Sequence, residues 1–211
     1  MYICLIAFFY VRLVEAEYHT FVWQSCTTNT DHQAIKVHSA NVSPTPVQIP
    51  GPLYVSFTVF VLKQIELGTE IRFDVTRHST LGYDIHVSCL FFPLERCTLD
   101  VCSIFEISAN TANTTNTTRQ IIKMFESVRV STHCPVAIQH ITIVDYRIDI
   151  PKLDGLAKYL VPGDYTVKAT VLHQATGIEL GCFRFSISLK EKPKDYGWLL
   201  GRKRRNNKNP N

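Results

Sequence analysis

Three of the seven cysteines, Cys89, Cys97 and Cys102, crowd into the stretch CLFFPLERCTLDVC. Thiols at that density can hold a metal, carry electrons or staple a chain. Structural zinc sites bring their ligands in pairs about two to four residues apart. Here seven residues separate Cys89 from Cys97 and four separate Cys97 from Cys102, with His86 and His133 as nearby further donors. A dithiol redox centre needs Cys-x-x-Cys, which the sequence does not contain. The histidines are scattered without ligand or base–nucleophile spacing, and neither G-x-S-x-G nor H-E-x-x-H occurs. The cysteines therefore read as staples, with no metal, no cofactor and no catalytic set expected.

The compartment implied by the N-terminus agrees. An apolar run from Tyr2 to Val11 ends near Val14-Glu15-Ala16, with small residues where a signal peptidase needs them. Ten residues of helix rise only about 15 Å, half of a bilayer core. Residues 1–16 read as a signal peptide cut before Glu17. Cleavage removes Cys4 and leaves Cys26, Cys89, Cys97, Cys102, Cys134 and Cys182, an even set in an oxidising compartment. Six cysteines allow about fifteen connectivities, and spacing alone does not choose among them. With Cys26 before the first strand and Cys182 opening the last, joining them would clasp the two ends of the sheet; Cys89 with Cys97 would close a small hairpin, and Cys102 with Cys134 would gather the loop that carries the helix and the paired sequons. Sequons at Asn41, Asn113 and Asn116 fit the same secretory route, the last two inside the polar run SANTANTTNTT.

The elements that must carry these residues are mostly strands. Period-two alternation marks LYVSFTVFVLK, EIRFDVTR, YDIHVSC, YRIDI, YTVKATVL and CFRFSISL, with turn signals such as SPTPVQIPGP and STLGYD between them. Only RQIIKMFESV reads as a helix, with Ile121, Ile122, Phe125 and Val128 on one face. The expected architecture is all-β, an antiparallel cup or sandwich with one short helix in a loop. Residues 17–190 make one domain and 191–211 a basic, disordered tail. The net charge of +4 is concentrated there: from residue 190 onward eight Lys/Arg face two Asp/Glu, which leaves −2 for the rest. A domain without basic excess argues against nucleic acid as partner.

Five motifs in register, FVWQSC, CTLDVC, HCP at His133–Pro135, PGDYTV and GIELGCFRFSISLK, resemble the ganglioside GM2 activator-like branch of the MD-2-related lipid-recognition domain family. The resemblance runs over roughly residues 21–190. It implies a β-cup around a large apolar cavity and the pairs Cys26–Cys182, Cys89–Cys97 and Cys102–Cys134. It also implies a non-enzymatic carrier, secreted or in the lysosomal lumen, that lifts a glycosphingolipid or phospholipid from a membrane surface. In that branch the cargo is presented to a lysosomal β-hexosaminidase. A fourth disulfide of the family is missing here, with Thr132 standing where a cysteine is expected, and the basic tail extends past the family domain.

On this reading Val55, Phe57, Val59, Ile71, Phe73, Val75, Val167, Phe183 and Phe185 line the cavity; the alternative is a dry sandwich core, since ordinary sheets alternate in the same way. Each buried CH₂ is worth about 0.8 kcal/mol, so drawing two long acyl chains from a bilayer costs on the order of 25 kcal/mol, which only an extended apolar wall offsets. A second site is the segment between Pro151 and Gly163, where alternation stops but Leu153, Leu156, Tyr159 and Leu160 persist beside Lys152 and Lys158. Leucines on such a loop enter the acyl boundary of a membrane, or else fold back on the core. The resemblance puts Tyr159-Leu160 at a membrane-contacting rim loop. A lipid sensor or general carrier with no enzyme partner stays open as the other function.

Overall fold

The computed structural model describes residues 20–79, 82–87, 97–106, 116–128, 130, 134–155 and 161–193. The signal segment, Cys89, Asn113, Leu156, Tyr159, Leu160 and the basic tail beyond residue 193 lie outside them. In chain order the elements are β1 (Val22–Ser25), β2 (Ile35–Ser43), β3 (Val47–Ile49), β4 (Gly51–Val61), β5 (Thr69–His78), β6 (Asp84–His86), β7 (Thr98–Asp100), α1 (Val101–Glu106), α2 (Asn116–Ser127), β8 (Gln139–Ile150), β9 (Gly163–His173) and β10 (Glu179–Glu191). They form two sheets. The larger has seven strands in the order β1-β10-β9-β5-β6, with β3 also on β10 and β7 also on β5; the smaller is β2-β4-β8. Every pairing is antiparallel except β3 with β10. The all-β, disulfide-stapled architecture read from the sequence is therefore the one found.

Alternation dictates which face is inside. Successive side chains of a strand point to opposite faces, and in β4 the odd positions Leu53, Val55 and Phe57 pack against a buried cluster that includes Val61, Ile141, Ile143 and Ile148. In β8 the inward set switches phase, from Ile141 and Ile143 to Tyr146 and Ile148, because a bulge interrupts its register with β4 between Val55 and Phe57. Asp145 sits there with φ 46°; its N–H donates to Ser56 Oγ at 2.9 Å, and Ser56 Oγ donates to its Oδ1 at 3.0 Å. An extra residue in one strand leaves such a group unpaired, and the serine satisfies it.

The helices close one flank. Met124 of α2 is 5 % exposed, and Ile121 and Phe125 pack beside it onto the β8 side of the cluster. Gln120 grips the outer edge of β8: its Oε1 accepts from Asp149 N at 2.7 Å and its Nε2 donates to Asp149 O at 3.1 Å. An open sheet edge invites pairing with other chains, and a covering helix removes that hazard. On the opposite flank the chain passes between sheets through β2, β3 and β4. At one end the sheets touch: Ala34 N donates to Leu180 O at 2.8 Å, and a Cβ on Gly181 would lie 2.7 Å from Ile35 O.

Several details differ from the sequence reading. A second helix, α1, follows β7, started by Asp100 Oδ1, which accepts from Ser103 N at 2.7 Å. α2 begins at Asn116, with Met124 its buried residue and Val128 37 % exposed. Cys26 follows β1 rather than preceding the first strand, so its disulfide to Cys182 staples β1 to β10. Cys102–Cys134 ties α1 to the segment before β8. Cys97 is disulfide-bonded too. β3 lies inside the proline-rich stretch read as a turn; Val47, paired with Leu189, is completely buried.

Candidate functional site

Cross-strand register builds the inner face of the larger sheet rank by rank. Val75, Val167, Phe185 and Trp23 stand side by side across β5, β9, β10 and β1. Phe73, Ala169 and Phe183 make the next rank, and Ile71 with Val171 the one beyond. Ile71 also packs against the cluster of the smaller sheet, which fixes this as the face between the sheets. The rings of Trp23 and Phe183 lie 5.6 Å apart, those of Phe183 and Phe185 5.6 Å, and those of Phe185 and Phe21 5.7 Å. Such tilted pairs are favourable beyond simple burial.

The nine inward positions divide by what they pack against. Val55, Phe57 and Ile71 join the packed cluster of the smaller sheet and helices. Val59 points inward between Val37 and Ile141. Phe73, Val75, Val167, Phe183 and Phe185 form one continuous patch on the larger sheet. Within it Val75 is buried, whereas Phe73, Val167, Phe183 and Phe185 are half-buried although they face the other sheet, and Val55, Phe57 and Val59 opposite are half-buried as well. Water-sized access to an inward apolar side chain means that it borders space rather than a packing neighbour. Ala169, in phase with Val167 in YTVKATVL, belongs to the same wall, as do Trp23 and Phe21, whose FVW is too short a run to show a period in the sequence.

At the far end of this wall the lining turns polar. Arg77 shares its rank with Tyr165 and Ile187. Its Nη2 donates to Pro162 O at 2.9 Å, and the guanidinium crosses Gly163, where a Cβ would sit 2.8 Å from Nε. The φ of 154° at Gly163 also suits glycine. Tyr165 donates to Val161 O at 2.8 Å; burial pushes its hydroxyl above the usual tyrosine range, against the pull of Arg77. Pro162 further borders a cavity of about 340 Å³ whose walls include Ile49, Pro50, Lys152, Leu153 and Lys192. Of the loop leucines proposed to meet a membrane, Leu153 is thus placed, half-buried, in the wall of this cavity. The nine wall residues do not border it.

The outer face of the larger sheet carries a polar ladder. Asp84 Oδ1 meets His78 Nδ1 at 2.8 Å, His78 Nε2 meets Thr166 Oγ1 at 2.8 Å, and Thr166 meets Ser186 at 3.0 Å, tying β6, β5, β9 and β10 together. Among the described residues no group of three or more His, Cys, Asp or Glu side chains could hold a metal ion. Asn41 is exposed on the outer face of β2, and Asn116 is exposed at the start of α2.

No protein-family model and no curated protein sequence matches the chain. Among solved structures, a Niemann-Pick type C2 protein from Japanese carpenter ant is similar at 11 % identity and a TM-score of 0.40, over 80 % of this chain and 99 % of that one.

Proposed function

We propose that this protein is a non-enzymatic carrier that binds the hydrocarbon part of a membrane lipid between its two sheets, in a secretory or lysosomal lumen. The observation that carries the reading is the half-buried state of Phe73, Val167, Phe183, Phe185 and Trp23 on a face turned toward the other sheet. A folded domain normally packs such side chains to crystal-like density. Leaving them short of neighbours forfeits stability that an acyl chain would restore.

The carrier works by exchange. The segment between Pro151 and Gly163, at the mouth where Leu153 and Lys152 stand, meets the bilayer surface. A lipid tail leaves the bilayer as it gains the apolar wall, so its exposure to water is brief. The finer reading, presentation of a glycosphingolipid to a lysosomal β-hexosaminidase, rests on the five sequence motifs. Vesicles containing labelled glycosphingolipid, incubated with the protein with and without hexosaminidase, test both levels. Soluble protein–lipid complex is expected in either case and faster sugar release with the enzyme. Transfer without stimulation would reduce the function to general carriage, and absence of any transfer would overturn the proposal.

A further inference from the structure

The inner wall ends in a charge. β5 presents Ile71, Phe73 and Val75 to the interior, and Arg77 continues the same face. Arg77 is half-buried, makes its hydrogen bond to a neutral carbonyl, Pro162 O, and forms no ion pair among the described residues. Withdrawing a guanidinium from water without a counter-charge is unfavourable, and its planar fork of donors matches carboxylate and phosphate oxygens. The carboxylates on the neighbouring positions point elsewhere: Asp84 pairs with His78 and Asp164 accepts from Ser188, both on the outer face. Pro162, which accepts from Arg77, also lines the neighbouring cavity, where Lys152, Lys192 and Glu191 stand and Lys152 lies 3.8 Å from Asp154.

We infer that Arg77 anchors the anionic headgroup of the bound amphiphile, so that the ligand class is a carboxylate- or phosphate-bearing lipid rather than a neutral one. The inference rests on the carrier reading and gives it an orientation. The headgroup oxygens meet the free N–H donors of Arg77 at the mouth, and the tail runs inward along Val75, Phe73 and Ile71. Six residues of strand span about 20 Å, comparable to a long acyl chain. Gly163 is part of the device, since a side chain there would occupy the place of the guanidinium.

The test is calorimetric titration of the delipidated full chain with 1-oleoyl lysophosphatidate, with 1-monoolein, which has the same tail and no charge, and with inorganic phosphate alone. The wild type is expected to bind lysophosphatidate about tenfold or more tighter than monoolein and to show no measurable affinity for phosphate. Arg77→Gln, which keeps a donor for Pro162 O, should abolish the preference by weakening lysophosphatidate binding far more than monoolein binding; Arg77→Lys should retain part of it. Equal affinities in the wild type, or an undiminished preference in both variants, overturn the headgroup assignment and leave the carrier reading standing. Phosphate bound as tightly as lysophosphatidate makes the site one for the free anion and overturns the amphiphile assignment. Binding of neither lipid removes the carrier reading and the inference with it.

Discussion

Gly181 and Tyr165 show how single residues hold the two ends of the interior in different states. At Gly181 the backbones of the two sheets come so close that a methyl group would lie 2.7 Å from Ile35 O, a contact no side-chain rotation relieves. Gly181→Ala is expected to lower stability by about 1–3 kcal/mol, read as a fall in denaturation midpoint, and a wild-type midpoint would show that this end is not closed. Tyr165 sits at the other end with its pKa raised, chiefly by burial. A raised folded pKa contributes stability that is intact below the unfolded value near 10 and is lost as pH climbs through the folded value. Alkaline titration should therefore destabilise the wild type above about pH 10, and Tyr165→Phe should flatten that limb. Arg77 was legible in principle, since in EIRFDVTR it falls in phase with Ile71, Phe73 and Val75; a cation ending an apolar face reads as a strand terminus until the neighbouring strands show what surrounds it.

Elements differ in how openly the sequence declared them, and the reasons are physical. β5 and β9 alternate without interruption, and their inward residues were read correctly. β8 declared only its second half, because the bulge at Asp145 shifts the phase and cancels the period over the whole strand. β2 hid behind an irregularity between Val37 and Ser39 and a polar outer face, and β3 behind its flanking prolines. Six of the nine cavity positions, Ile71, Phe73, Val75, Val167, Phe183 and Phe185, stand on the larger sheet and Val55, Phe57 and Val59 on β4 of the smaller one; Val55, Phe57 and Ile71 also pack against the cluster that holds Met124, a contact strand alternation cannot foresee. The staples carry a prediction at this scale. The loop closed by Cys26–Cys182 spans 156 residues and that of Cys102–Cys134 spans 32. In the chain-entropy model these are worth about 5 and about 4 kcal/mol. The double serine variant at Cys26 and Cys182 should lose more stability in denaturant titration than the variant at Cys102 and Cys134; the reverse order would mean that α1 docking, not loop closure, dominates.

As a whole the molecule divides its interior in two. One part, made by the smaller sheet and two helices, carries the buried cluster of Val61, Met124, Ile141, Ile143 and Ile148. The other part is an aromatic and aliphatic wall, largely half-buried, pinned at one end by Gly181 and the Cys26–Cys182 staple and ending at the other in Arg77, beside the lysine-bordered cavity. Trp23 stands on that wall against Phe183, and Trp198 is the second of the two tryptophans. The most direct test uses the Trp198→Phe chain, in which Trp23 reports alone. Vesicles whose acyl chains carry bromine, which quenches indole only at contact, are mixed with the delipidated protein, and the protein is then separated from them. The account predicts that the isolated protein has lost much of its Trp23 emission and carries brominated lipid; undiminished emission with no lipid attached would contradict it.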